Sequence, residues 1–170
     1  TEIDSKLNRN WSAISGIEWY HDQVNSSKEQ INIFTEQRLK MRGLYPDNAK
    51  SSNFSIYSLH QFLLGKFQLN SGLRYNSFAL RMQDTAAGVN QLGQVIIRPS
   101  SFVGNIALLY HLIPNHSIYA SFNTGYRAPN VDDMGSLGLV DFRYEIPAYG
   151  LKPEKTYNSE IGYKIEGKKI

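Results

Sequence analysis

The chain has 170 residues, with no cysteine, 11 tyrosines and 8 phenylalanines, so disulfide scaffolds and thiolate metal sites are excluded. Its formal net charge is +3, from 18 basic and 15 acidic residues, and no basic run is long enough to form a nucleic-acid footprint. No stretch of about 18 apolar residues is present, which excludes a membrane-spanning helix.

Six stretches of about ten to thirteen residues alternate apolar or aromatic side chains with small or polar ones, the period of two that predicts β-strands. In chain order they are about Asn10–Asp22, Asn53–Leu64, Phe67–Leu80, Ser101–Leu112, His116–Arg127 and Lys155–Glu166. The first departs once, because Ile14 lies on its polar side. The third alternates most cleanly. The second carries large apolar side chains in both parities, so its two faces cannot be assigned.

The connections between these strands alternate between very short and very long. Gly65-Lys66 and Pro114-Asn115 form turns, whereas His21–Ser52, Arg81–Ser100 and Ala128–Glu154 are loops of roughly 20 to 30 residues, a length uncommon in compact soluble domains. Short turns at one end and long loops at the other are typical of outer-membrane barrels. Aromatic residues near the strand ends suit the two membrane interfaces: Trp11, Trp19, Tyr20, Tyr110, Tyr126 and Tyr157.

These features predict an all-β fold, an antiparallel transmembrane β-barrel segment of about six strands, with residues 1–170 forming one partial barrel domain. Six strands would leave two open edges in hydrocarbon, where backbone amides must be paired. We therefore expect further strands on both sides of this chain, which begins at Thr1 and stops at Ile170 in what reads as a hairpin.

The most specific segment begins at Gly125–Asn130 (Gly-Tyr-Arg-Ala-Pro-Asn) and ends at Leu151–Lys155 (Leu-Lys-Pro-Glu-Lys), followed by Tyr157–Lys164. It resembles the TonB-dependent receptor family, in which an aromatic-Arg-Ala-Pro box ends a strand and an Asn-Pro-x-Leu-Lys-Pro-Glu box leads into another. The resemblance covers about 40 residues and departs at Ile146–Leu151, where Asn-Pro-Asn-Leu is common. The motif residues with structural roles are Tyr126, Ala128, Pro129, Leu151, Pro153 and Glu154.

The resemblance implies a receptor of the Gram-negative outer membrane that imports a scarce nutrient and is not an enzyme. It also implies three partners: membrane lipid, a plug domain of the same protein and the TonB energy complex of the inner membrane. An iron compound, either a siderophore or haem, is the favoured substrate because such substrates are frequent in the family. No cofactor and no nucleic-acid partner are expected.

Arg127 shares its parity with Ser117, Ser121 and Asn123, so it should point toward the barrel lumen or mouth, where a lumen ion pair, for example with Glu160, is the preferred interpretation. The acidic residues of the last loop have no EF-hand spacing and are interpreted as solvated. The candidate ligand or plug contacts are Arg127, Asn130, Asp132, Asp133, Phe142, Tyr144 and Tyr149.

The last long loop is unusually apolar for an exposed segment, and packing against neighbouring loops or a plug is favoured over direct substrate contact. Its large apolar residues are Met134, Leu137, Leu139, Val140, Phe142, Tyr144, Ile146 and Tyr149.

The four histidines, His21, His60, His111 and His116, match no metal-ligand or haem-ligand motif, and residues 130–150 contain none. No nucleophile elbow, zinc-protease pair or phosphate loop is present, so no catalytic residue is predicted. Two alternatives stay open: a soluble β-sandwich binding module and a small outer-membrane barrel enzyme.

Overall fold

The computed structural model of the protein describes residues 1–83 and 94–167. Within these ranges the chain forms β1 (Glu2–Asn8), β2 (Trp11–Val24), β3 (Ser27–Ile31), β4 (Arg38–Arg42), β5 (Ala49–Leu64), β6 (Phe67–Gln83), β7 (Gln94–Ile97), β8 (Ser100–Ile113), β9 (His116–Arg127), α1 (Val131–Gly135), β10 (Gly138–Val140), β11 (Arg143–Glu145) and β12 (Glu154–Ile165). Strands dominate, as the alternation predicts.

One antiparallel sheet, in the order β1-β2-β5-β6-β8-β9-β12 with β7 added beside β6, contains every predicted strand. A single open sheet of consecutive strands is a segment of a barrel wall, and it differs from the two packed layers of a β-sandwich. The predicted antiparallel barrel segment is therefore confirmed. β1 and β12 form the two edges of the sheet, and the barrel is not closed by this chain.

The structure differs from the sequence prediction mainly in the long loops. Edge strand β1 was not predicted from the sequence, and two small hairpins, β3–β4 and β10–β11, form where loops without strands were expected. The loop predicted over Arg81–Ser100 contains β7, and its residues 84–93 lie outside the described residues. These elements are short and pair locally, so each carries too few alternating positions for period two to stand out.

The two faces of the sheet follow from the register. Ile17 pairs with Ile56, Ile56 with Tyr75 and Tyr75 with Phe102, so these apolar residues form one row across four strands. We call this side the apolar face. Its side chains remain well exposed, with Ile17 50% and Phe102 69% exposed. A broad exposed apolar surface is the expected outer wall of a membrane barrel.

The opposite side, the polar face, carries the charged groups in the middle of the strands. Near the loop end, Lys50, Arg81 and Lys155 instead share the parity of the apolar face. Glu18 pairs with Ser55 across β2 and β5, and Arg74 reaches both, with its Nη2 2.5 Å from Glu18 and 2.7 Å from the Ser55 hydroxyl. The register also settles the faces of β5: Phe54 and Ile56 lie on the apolar face, while Tyr57 lies on the polar face over Gly16.

Two tyrosines on the polar face each cover a glycine of the neighbouring strand. The Tyr57 hydroxyl donates to Glu2 at 2.6 Å above Gly16, and the Tyr119 hydroxyl donates to Glu160 at 2.7 Å above Gly162. A Cβ added at Gly162 would overlap the Tyr119 ring. The glycine therefore leaves the space in which the aromatic ring lies flat on the sheet.

Gly162→Ala should displace the Tyr119 ring and break its hydrogen bond to Glu160. We expect a loss of about 1–3 kcal/mol in the free energy of unfolding, as for other overpacked sites. Urea unfolding of the full-length protein in lipid vesicles measures this loss. Gly150→Ala is the matched control, because no atom lies within 4 Å of its added Cβ. Equal unfolding curves for the two variants would contradict the packing argument.

Connections of opposite length lie at opposite ends of the sheet. The tight turns contain Gly65 and Asn115, with φ of 63° and 67°, and the long loops join the other strand ends. We call these ends the turn end and the loop end. The buried core lies at the loop end, where Ala49, Leu80, Met82, Val131 and Met134 form what we call the mouth cluster. The strands themselves have little core because a barrel wall has no second layer.

Candidate functional site at the loop end

Arg127 ends β9 and joins three parts of the loop end. Its Nη2 donates to both carboxylate oxygens of Asp133 at 2.7 Å, and its Nη1 donates to Glu154 at 3.3 Å. Because a guanidinium matches a carboxylate in two parallel hydrogen bonds, Asp133 is its stronger partner. Glu160, named above as an example partner, instead binds Tyr119. Arg127 therefore ties the first residue of β12 to the short helix of the last long loop.

The short helix α1 begins at a capping box that the sequence reading did not single out. The Asn130 side chain accepts the Asp133 N–H at 2.8 Å, and the Asp133 carboxylate accepts the Asn130 N–H at 3.0 Å. An Asn followed three residues later by a carboxylate is the available sequence signal for such a helix start. Asn130, Asp133 and Arg127 thus bind one another.

The carboxyl group of Asp133 is held in its charged form. Partial burial raises its pKa, but the Asn130 N–H and the Arg127 guanidinium together outweigh this effect, so the pKa lies below its ordinary value. A depressed folded-state pKa means that the carboxylate contributes stability above its unfolded-state pKa. That contribution is lost as the pH falls through the folded-state value.

We expect the helix α1 to loosen at acidic pH, below the ordinary carboxyl pKa of about 4. Amide hydrogen exchange of residues 131–135 in the full-length protein should accelerate as the pH falls there, after correction for intrinsic exchange. Asp133→Asn should exchange faster at neutral pH and lose this pH dependence, because its side chain does not titrate. A pH dependence that persists unchanged in Asp133→Asn would contradict the assignment.

The first long loop (residues 25–48) and the last long loop (residues 128–153) are joined to each other. Arg42 donates to the Gly135 carbonyl, and the Leu137 N–H donates to the Leu44 carbonyl at 2.9 Å. Pro46 packs against Gly135 so closely that an added Cβ would lie 2.8 Å from the proline ring. The two loops therefore form one continuous structure above the sheet.

The candidate residues of the last loop separate into those that contact other side chains of the loop end and two exposed aromatic residues. Arg127, Asn130 and Asp133 bind each other, and Tyr149 packs against the mouth cluster. Interaction with the Asp132 carboxylate raises the pKa of Tyr45. Phe142 is 100% exposed and Tyr144 is 69% exposed. Arg127, Asn130 and Asp132 are also solvent-exposed, so the two aromatic rings stand out as large apolar side chains on the surface.

The apolar residues of the last loop divide in the same way. Met134 is completely buried in the mouth cluster, which fits packing between loops. Leu139 and Ile146 are exposed together with the aromatic rings of Phe142 and Tyr144. Phe142 lies at the tip of the β10–β11 hairpin with φ of 63°, an unusual conformation for a bulky side chain. Both interpretations of this loop therefore apply, each to different residues.

A cleft of about 1010 Å³ lies between the two joined loops. The β3–β4 hairpin lines one side with Lys28, Lys40 and Met41, and the β10–β11 hairpin lines the other with Leu139 and Tyr144. The residues of the first loop were not predicted to form a site. The available signal was local: the Asn32 side chain accepts backbone N–H groups of the next residues in a side-chain turn, which favours a hairpin there.

The charges around the cleft are unbalanced. Glu29 pairs with Arg38 at 3.7 Å, and Asp47 accepts the Ser26 N–H at 2.9 Å, so both lining carboxylates are engaged. Within residues 1–83 and 94–167, no salt bridge joins a carboxylate to Lys28 or Lys40, although Glu29 lies directly across from Lys40 in the hairpin. By the hairpin register, Lys28 shares a face with Met41, and Lys40 shares the other face with Glu29. Positive charge together with aliphatic and aromatic lining residues favours an anionic ligand with an apolar portion.

The four histidines lie apart from this cleft. His111 contacts the Ser117 hydroxyl at 2.9 Å and His116 contacts Tyr163 near the turn end, while the His21 ring lies near Trp19. In the described part of the chain, no three His, Cys, Asp or Glu residues are arranged to hold a metal ion.

His60 is within hydrogen-bond distance of a serine, yet the pair is not arranged for base catalysis. The Trp11 indole N–H donates to His60 Nδ1 at 3.2 Å, and the Ser58 hydroxyl lies 3.0 Å from Nε2. Since indole is only a donor, Nδ1 must accept, which places the ring hydrogen on Nε2. Nε2 therefore donates to Ser58 and cannot take its proton, as a nucleophilic serine would require.

The helix of the described residues is far too short and polar to cross a membrane.

Comparison with known proteins identifies the family of the chain. A family model described as the TonB-dependent receptor-like β-barrel matches residues 2–170. No curated protein sequence matches the chain.

Solved structures with a similar fold are proteins of which this chain spans about a quarter. The copper transporter OprC has a TM-score of 0.79 at 14% identity, with 99% of this chain and 26% of that chain covered. The FrpB iron transporter from Neisseria meningitidis (F3-3 variant) has a TM-score of 0.65 at 21% identity, covering 98% of this chain and 26% of that one. A double mutant of the Serratia marcescens hemophore receptor HasR, in complex with its hemophore HasA and heme, has a TM-score of 0.70 at 16% identity, covering 96% and 28%.

The family match covers almost the whole chain, and these similarities at low identity agree with it in fold. The chain belongs to the TonB-dependent receptor family, as part of its β-barrel.

Proposed function

We propose that the full-length protein is a receptor of the Gram-negative outer membrane that imports an iron compound, either a ferric siderophore or haem. Membrane lipid surrounds the apolar face, and the turn end faces the periplasm. A plug domain fills the lumen and couples to the TonB complex of the inner membrane, as the family implies. The loop end then lies outside the cell, where a ligand arrives first.

The observation that carries this proposal is the cationic cleft between the first and last long loops of a family barrel. Lys28 and Lys40 supply positive charge and form no salt bridge among the described residues. The lining residues Tyr144, Leu139 and Met41 supply apolar contact. Ferric chelates and haem combine acidic oxygen groups with an apolar or aromatic body, so they match this chemistry. Among the similar structures, FrpB is named an iron transporter and HasR is in complex with its hemophore and heme.

Uptake of labelled iron by living cells tests the proposal. A deletion strain complemented with the full-length gene should take up a ferric siderophore or haem at least several times faster than the uncomplemented strain. A protonophore should abolish the difference, because transport of this kind draws on the inner-membrane proton gradient. Copper serves as the comparison substrate, since OprC is a copper transporter. Gene-dependent copper uptake without gene-dependent iron uptake would contradict the substrate assignment.

A further inference from the structure

A groove of about 460 Å³ crosses the apolar face of the sheet, away from the loops. Its walls are formed by Ile3, Ile17, Ile56, Leu73 and Phe102 on five strands. The groove exists because Ser15 and Ser58 are small and lie between Ile3 and Leu73 in the row below Ile17 and Ile56. In that row Ser15 pairs with Ser58, Ser58 with Leu73, and Leu73 with Gly104.

The floor of the groove is formed by polar side chains that hydrogen-bond to one another. The Ser15 and Ser58 hydroxyls lie 2.7 Å apart, and Ser58 contacts His60, which in turn accepts from Trp11. Polar groups are costly in an apolar medium unless they are hydrogen-bonded to one another. Because these four side chains hydrogen-bond to one another, the groove offers apolar walls and few free polar groups that would retain water.

The depth of the groove decides what can occupy it. Register pairs run from Leu64–Phe67 at the tight turn to Ser58–Leu73 in the groove. That separation is about 20 Å along a strand at ~3.3 Å per residue, or about 14 Å along the membrane normal for a ~45° tilt. The apolar band of such barrels is about 25 Å tall. The groove therefore lies near the bilayer midplane, where lipid tails are present and headgroups are not.

We propose that this groove binds one acyl chain of a membrane lipid as a fixed site rather than as part of the mobile lipid shell. The inference rests on the outer-membrane location proposed above. Ile17 and Phe102 project on the same side of the groove. They prevent a flat β-sheet of a second molecule from reaching the floor, so the walls favour a thin, flexible occupant. Neither the loops nor the cleft takes part in this site.

Photolabelling of the full-length receptor in phosphatidylethanolamine and phosphatidylglycerol vesicles tests the site. The probe is a phosphatidylcholine with a diazirine near the end of one acyl chain, and labelled residues are located by peptide mass spectrometry. We expect labelling of Ile17, Ile56 and Leu73 to exceed that of Ile161, on the same face, severalfold. A probe with its diazirine beside the ester group should not show this preference.

Variants show whether labelling depends on the shape of the groove or on the hydrogen bonds of its floor. Ser58→Leu fills the groove and should reduce its labelling to the level of Ile161, whereas Ser58→Ala leaves the space open and should retain it. Ser15→Leu fills the same space from the neighbouring strand. Ala120→Leu adds the same side chain to the apolar face elsewhere and should change nothing. A shift in gel mobility on heating shows that each variant is folded.

Uniform labelling of the apolar face would overturn the proposal, as would full labelling of both leucine-filled variants. Cross-linking of groove residues to a second copy of the chain would overturn it in favour of a dimer contact. These outcomes are distinct from failure of the proposed function. If the receptor is absent from the outer membrane, the membrane location on which the groove proposal rests is wrong. If the receptor is in the outer membrane but iron uptake is lost or altered, the photolabelling of the groove is unaffected.

Discussion

Met134→Ala should release the last long loop from the loop end of the sheet. Met134 is completely buried in the mouth cluster, against residues of β5 and β6, and truncating a buried methionine typically costs about 2–5 kcal/mol. At 1.4 kcal/mol per tenfold change, the open form of the loop should become at least about tenfold more populated. Limited proteolysis of the full-length protein in outer-membrane vesicles should show faster cleavage within residues 128–153.

The control for this experiment is Leu139→Ala, a truncation in the same loop at a side chain that is 72% exposed. Its cleavage rate should match that of the unaltered protein. If Met134→Ala is cleaved no faster than Leu139→Ala, the mouth cluster does not hold the loop, and the joint structure of the two long loops would need another explanation.

Reversing the two lysine charges of the cleft should weaken ligand binding roughly tenfold to hundredfold. Each exposed charge contributes about 0.2–1 kcal/mol to an ion pair, and reversal adds repulsion to that loss. The double variant Lys28→Glu/Lys40→Glu is measured by the affinity of intact cells for a ferric siderophore or haem. The effect should shrink as the salt concentration rises, because mobile ions screen exposed charges.

Lys6→Glu/Lys66→Glu is the matched control for charge reversal. It changes the net charge of the chain equally, but Lys66 lies at the turn end, where its ammonium contacts the Leu112 carbonyl. Lys6 lies on β1 toward the same end. Equal losses of affinity in both double variants would show that the total charge acts at long range, and the cleft would not be the binding site.

The barrel wall was predictable from sequence because period two repeats over long strands. The predicted bounds of β9 match those of the structure. The structure extends β6 beyond its predicted end at Leu80 to Gln83, at the loop end. The faces of β5 were not predictable, since Tyr57 and Leu59 compete with Phe54 and Ile56 in size and apolarity. The register decides between them: Tyr57 lies over Gly16 and reaches Glu2 on β1 across the intervening strand β2.

The site was less predictable than the wall. Parity placed Arg127 on the polar face, but its partners Asp133 and Glu154 depend on how the last loop folds back. The cleft joins residues far apart in sequence, Lys28 and Tyr144 among them, and no local pattern indicates such proximity. The small hairpins that carry them pair locally, but their mutual placement depends on contacts between the loops, such as the hydrogen bond from Leu137 to Leu44. Alternation along one strand does not encode such contacts.

Outer-membrane fractionation of cells that express the full-length gene, followed by electrophoresis with and without heating, tests the central claim most directly. A closed barrel resists detergent until it is boiled. We predict a product in the outer-membrane fraction that migrates faster unheated than heated. A product in the soluble fraction whose mobility does not change on heating would contradict the assignment of this chain to a membrane barrel.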